Sequence, residues 1–236
     1  MGIKGVFLDL GWTLFRPAHG DWFINKKMLE YAPWQKIQKI PQDKRDAVFA
    51  EALAYLDGHH LLRTEAEEMA QFMEFYHIIA DGLPELGITE KQAEKMAECK
   101  VFDTENYLFF EKARETVLRL REKYRLGVIS DTWPSADRIL QSGGLADLFD
   151  CKTYSCHLGV WKPHEKMYHH ALEQMNLPPE ETVFVDDAEG NLDGAVACGI
   201  RPILIKTNQN IPDSGKYPHI NSIAELPALL EGAPFI

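Results

Sequence analysis

Four short runs of the chain are almost continuously apolar: Val6-Phe7-Leu8, Arg125-Leu126-Gly127-Val128-Ile129, Thr182-Val183-Phe184-Val185 and Pro202-Ile203-Leu204-Ile205. None alternates apolar with polar, as a strand with one wet face would. Such runs predict strands of a parallel sheet covered on both faces. Three of them stop on a polar residue: Asp9, Ser130 and Asp186. Between them lie segments with helical spacing. Glu111 to Tyr124 carries Ala113, Val117, Leu118 and Leu120 amid charge, and Lys166 to Met175 and Leu192 to Cys198 read similarly. Alternating strand and helix predicts a doubly wound, Rossmann-like α/β core. Ligands of such sheets bind at the carboxyl ends of the strands, near the switch in strand order. The three polar strand ends are therefore expected to converge on one site.

From Arg16 to about Asn106 the pattern changes, and no comparable strand occurs. Lys44 to Leu56, Arg63 to Ile79 and Glu90 to Lys100 have helical spacing, the last preceded by Thr89 as a candidate N-cap. About ninety residues of helix after the first strand predict an inserted domain. The expected division is 1–16 and 107–236 for the α/β core and 17–106 for the helical insertion. The aromatic stretches Trp22-Phe23 and Tyr31-Ala32-Pro33-Trp34 are expected to bury area within or beneath it.

Composition narrows the classes. The 236 residues hold 25 Lys+Arg and 36 Asp+Glu, a net charge of −11. That balance argues against nucleic acid or an anionic membrane surface as partner, because both need basic surface. No run is long and apolar enough to span a bilayer. The N-terminus runs directly into a strand-like segment, with no signal-peptide pattern. Cys99, Cys151, Cys156 and Cys198 are scattered with no CxxC pair, which points to a reducing compartment and a cytoplasmic protein. There is no GxGxxG fingerprint and no Walker A sequence.

Four separated segments together resemble the haloacid dehalogenase-like hydrolase superfamily, in the branch with a helical cap after the first motif. They are Asp9-Leu10-Gly11-Trp12-Thr13, the strand end Ile129-Ser130-Asp131-Thr132, the pair Lys162-Pro163, and Asp186-Asp187 followed by Asn191 and Gly194-Ala195. The resemblance implies that Asp9 is a nucleophile forming an acyl phosphate, which splits one difficult displacement into two easier ones. It implies that Ser130 grips a phosphoryl oxygen. Lys162 would stabilise the charge of the nucleophile and the transferring group. Ser130, Asp131, Lys162 and Trp12 are the expected substrate contacts, and a small phosphorylated metabolite is the expected substrate.

Asp186 and Asp187 beside Asp9 would gather three negative charges, which is unfavourable unless a cation sits among them. A hard divalent ion fits, Mg2+ first. By resemblance its ligands are Asp9, the main-chain carbonyl of Gly11, Asp186 and Asp187. Asn191 is expected to orient Asp187 or a metal-bound water.

Gly11 departs from the family pattern, which places a second aspartate there as general acid and base. Such proton transfer is worth roughly 10²–10⁴-fold. Three readings stay open. Another group supplies the proton, with His19, Asp21, His59 and His60 available. The reaction is of the phosphonatase or dehalogenase kind and needs no such acid. Or turnover is weakened, leaving a phosphate-ligand-binding or regulatory protein. Asp186-Asp187 argues against the dehalogenase branch, which lacks the pair. The phosphonatase branch, C–P hydrolysis through a cap lysine, would draw on Lys26, Lys27, Lys36 or Lys39. A metal site from His157, His164, His169 and His170 is disfavoured, since His169 and His170 are helix neighbours that point apart.

Overall fold

The computed structural model describes residues 2–208 and 214–232. In chain order the strands are β1 (Gly5–Leu8), β2 (Phe15–Pro17), β3 (Tyr107–Phe109), β4 (Arg125–Ser130), β5 (Cys151–Tyr154), β6 (Thr182–Asp186), β7 (Arg201–Ile205) and β8 (His219–Ile220). The helices are α1 (Lys26–Tyr31), α2 (Trp34–Ile37), α3 (Gln42–Gly58), α4 (Glu65–Gly82), α5 (Glu90–Phe102), α6 (Ala113–Arg121), α7 (Ala136–Ser142), α8 (Ser155–Leu158), α9 (Glu165–Met175), α10 (Glu189–Ala197) and α11 (Leu226–Gly232). Contacts divide them into two compact units. One comprises residues 1–16, 108–132 and 136–236; the other comprises residues 17–107 and 133–135.

The first unit is a six-stranded sheet in the order β5-β4-β1-β6-β7-β8. Its neighbouring strands pair in parallel. The central strands are apolar throughout because both faces are covered: Val6, Phe7 and Leu8 are fully buried, as are Val183, Phe184 and Val185. On one face Phe7, Ile129, Phe184 and Leu204 pack against Met167, Ala171 and Met175 of α9 and Leu192 and Ala195 of α10. Gly127 stands in register with Phe7. A Cβ there would lie 2.7 Å from the Phe7 ring and 2.8 Å from Cys151 Sγ, so a side chain at 127 would displace one of them. From β1 the chain winds outward through β4 and β5, then returns to β6 and winds the other way. The switch point lies between β1 and β6, where Asp9 and Asp186 sit.

The second unit is helical. Helices α4 and α5 open with capping boxes, in which Thr64 pairs with Glu67 and Thr89 with Gln92. The fully buried Phe72, Phe75, Tyr76, Ile79, Ala93, Met96 and Ala97 form its core. Phe23 packs on the Phe75 ring, with centroids 5.6 Å apart, but Trp34 is 42% exposed, contrary to the expectation of burial. Trp34 is the first residue of the four-residue helix α2, which follows Pro33 and buries Ile37 alone.

The tripeptide Trp133–Ser135 belongs with this unit although its chain neighbours belong to the sheet. Ser135 donates through N and Oγ to the two oxygens of Glu68, each at 2.7 Å. Trp133 Nε1 donates to Gln71 Oε1 at 2.8 Å. No helix among the described residues is long and apolar enough to cross a membrane.

Candidate active site

Strand β1 delivers Asp9. Its backbone N–H still donates to Val185 O (2.9 Å), so the residue is held in the ladder with β6. Beyond it the chain folds over on itself: Thr13, Leu14 and Phe15 all donate to Leu10 O. This turn carries Gly11 and the half-buried Trp12. Thr13 is fully buried, and among the described residues its hydroxyl finds no hydrogen-bond partner.

Lys162 is the centre of charge. Its ammonium lies 2.8 Å from Asp9 Oδ1 and 2.7 Å from Asp186 Oδ2, with 2% of its side chain exposed. Burial disfavours that charge, but Asp186, Asp9 and Asp131 outweigh it and hold the ammonium well above the ordinary lysine range. The Lys162-Pro163 peptide is cis. Asp131 Oδ1 accepts from the Lys162 main-chain N–H at 2.9 Å, tying the lysine loop to the end of β4. Ser130, the last residue of β4, is 1% exposed, and its hydroxyl opposes the rise that burial imposes on the Asp9 carboxyl.

Asp186 closes β6 and is fully buried. Its Oδ1 accepts from Ala188 N (2.8 Å), which supplies the cap that α10 otherwise lacks. Asn191 Nδ2 spans both Asp186 oxygens at 3.0 and 3.1 Å. The amide thus orients Asp186, where the sequence suggested Asp187 or a metal-bound water, because Asn191 lies in the first turn of α10, directly after the end of β6.

Carboxylate oxygens of Asp9, Asp186 and Asp187 lie within 4.8 Å of one another. Three acidic groups thus gather near one ammonium, which bonds two of them. Burial pushes Asp9 up to about 7 against the pull of Lys162, and the charge of Asp186 adds to the rise. Burial also lifts Asp187, to about 8, reinforced by Asp9 and Asp186. A cluster of hard oxygen donors with excess negative charge fits a divalent cation such as Mg2+.

The remaining sequence candidates have local partners of their own. His164 accepts from Lys166 N as the cap of α9, and His170 Nδ1 bonds Thr153 Oγ1. In the helical unit Asp21 accepts from Phe23 N, and His59 Nδ1 bonds Tyr55 O. His60 is 3% exposed, and burial lowers it to about 4, so it is neutral near pH 7. Lys26 pairs with Asp103 and Glu105, Lys27 with Glu30, and Lys36 with Leu86 O. The buried lysine of that unit is Lys100, which the sequence reading missed. It bonds Tyr107 OH (2.8 Å) and lies over the rings of Phe72, Tyr107 and Trp133. Its helical neighbours Met96 and Ala97 gave the only hint, an apolar stripe that Lys100 continues.

A Rossmann-like sheet with a lysine-bridged carboxylate cluster at its switch point is the arrangement of an aspartate-based hydrolase with an α/β core. The chain belongs to the haloacid dehalogenase-like hydrolase family, whose pattern matches residues 3–199. It is 35% identical over 125 residues to glyceraldehyde 3-phosphate phosphatase of Pyrococcus furiosus, covering 50% of this chain and 52% of that protein. It is 28% identical over 116 residues to a pyrimidine 5'-nucleotidase of Escherichia coli, covering 47% and 52%. The matches thus span about half the length of these curated relatives. The fold is shared with a 2-haloacid dehalogenase of Pseudomonas syringae pv. Tomato, at TM-score 0.68 and 21% identity over 97% of this chain and 98% of the other.

Proposed function

We propose that the chain is a magnesium-dependent phosphatase acting on a small phosphorylated metabolite, with Asp9 as nucleophile. The observation that carries this reading is the buried Lys162 ammonium bonded to both Asp9 and Asp186, with Asp187 completing the acidic cluster. An Asp9 oxygen attacks phosphorus, the P–O bond to the leaving group breaks, and an acyl phosphate remains on Asp9. Water then attacks that phosphorus, releasing inorganic phosphate and restoring the carboxylate. Ser130 donates to a phosphoryl oxygen, and Lys162 balances charge on the nucleophile and the transferring group. Asp131 holds the Lys162 main chain. Trp12 forms a wall of the substrate site. Asp9, Asp186, Asp187 and the Gly11 carbonyl would hold Mg2+, which supplies Lewis-acid neutralisation of phosphoryl charge when bound. The helical unit serves as a cap that excludes water during transfer. The phosphatase and nucleotidase among the relatives support a phosphoester substrate. The scattered thiols and the net charge of −11 support a cytoplasmic enzyme whose partner is a small molecule, with no nucleic acid or membrane partner.

Gly11 supports a second reading, a phosphate-ligand binder with weak turnover, because it has no side chain to protonate the leaving oxygen. A phosphomonoester panel with and without Mg2+ separates the two. Mg2+-dependent turnover that Asp9→Asn abolishes supports the phosphatase; phosphate binding without turnover on any ester supports the binder.

A further inference from the structure

Trp12 has φ +53°, the left-handed region that a bulky side chain rarely occupies. It follows Gly11 and lies three residues from Asp9, so the backbone that carries the proposed metal-ligating carbonyl turns through a disfavoured conformation. Something must hold it there. Inside the loop, Trp12 N donates to Phe15 O at 2.7 Å. From outside, the Thr207 hydroxyl donates to the Trp12 carbonyl. Thr207 lies just beyond β7, whose end is fixed to β8 by Lys206 N donating to Ile220 O (2.9 Å). Thr207 also lines a cavity of about 580 Å³ with Asn208, Asn221 and Ser222.

We propose that Thr207 is a positioning residue for the catalytic loop. By bonding the Trp12 carbonyl it keeps the Gly11-Trp12-Thr13 backbone in its left-handed turn, and so sets the Gly11 carbonyl for the metal. The inference rests on the reading of the Asp9 site as a magnesium-dependent phosphatase. A contact of this kind, one shell removed from a metal, is worth roughly 10- to 100-fold in affinity or activity.

The test uses Thr207→Val, Thr207→Ser, Trp12→Gly and the double variant Trp12→Gly/Thr207→Val. Three quantities are read on the full chain: kcat and KM on the best ester of the panel, Mg2+ affinity of the metal-free protein by calorimetry, and urea unfolding. Thr207→Val is expected to lower kcat about 10-fold or more and weaken Mg2+ binding, with KM within about twofold. Thr207→Ser, which keeps the hydroxyl, restores both. In the Trp12→Gly background the valine substitution loses most of its effect, since glycine adopts the turn without external restraint. Unchanged kcat and Mg2+ affinity in Thr207→Val, or equal losses in both backgrounds, would overturn the proposal. If the wild type neither turns over nor binds Mg2+, the phosphatase reading fails. The urea cycle between positions 12 and 207 then judges Thr207 alone: coupling supports its hold on the loop, and strict additivity removes it.

Discussion

Glu68 on α4 is fully buried, and burial raises its carboxyl to about 7 against the opposing pull of Ser135 and Lys100. In the unfolded chain it ionises near its ordinary value of 4.5. Below that value both states are protonated and the group costs nothing. Between 4.5 and about 7 the unfolded chain releases its proton and the folded one does not, so stability falls as pH rises. Above about 7 the penalty is complete. At 1.36 kcal/mol for each pH unit between the two ionisations, it amounts to about 3 kcal/mol. Glu68→Gln removes the ionisation and keeps the shape. Its amide can accept from Ser135 N and donate to Ser135 Oγ, replacing both 2.7 Å bonds of the carboxylate. Urea unfolding at pH 5 and pH 8 reads the difference. At pH 8 the variant should be more stable by about 3 kcal/mol, and at pH 5 by less than about 1 kcal/mol. A variant less stable than wild type at pH 8 would show instead that Glu68 is ionised and balances Lys100. Breaking such a buried pair costs roughly 3–5 kcal/mol.

Gly127→Ala should destabilise the sheet by about 1–3 kcal/mol, because the new methyl meets the Phe7 ring and Cys151 Sγ; thermal unfolding checks it, and an unchanged Tm would mean that neighbours yield freely. Gly11→Asp should raise turnover by about 10²-fold or more if a missing acid limits the cycle. Steady-state kinetics that show no gain would mean that another group already moves the proton.

Strands β1, β4, β6 and β7 were legible because burial on both faces leaves an unbroken apolar run. The edge strand β5 was not, since Cys151-Lys152-Thr153-Tyr154 has a half-exposed lysine and no such run. Two-residue β8 and the short pair β2–β3 have too few residues to carry a period. At the site, Asp9, Ser130 and Asp186 announced themselves as polar ends of apolar strands, and Lys162 gained meaning only beside them. Three features depend on contacts that local sequence does not encode. Asp131 secures the Lys162 main chain across 31 residues. Asn191 chooses Asp186 over the nearer Asp187 through the geometry of a helix start. Trp133 and Ser135 join the helical unit through Gln71 and Glu68, 62 and 67 residues away, where no periodicity links the partners.

The most direct measurement asks whether Asp9 carries phosphate during turnover. The protein is mixed with its best phosphomonoester and Mg2+, quenched in acid within one turnover, and the peptide containing Asp9 is examined by mass spectrometry. Phosphate on Asp9 in the wild type, absent from Asp9→Asn and from samples treated with chelator, is the expected result. Turnover that continues in Asp9→Asn, or phosphate that never resides on Asp9 while product forms, would contradict the assignment of Asp9 as nucleophile.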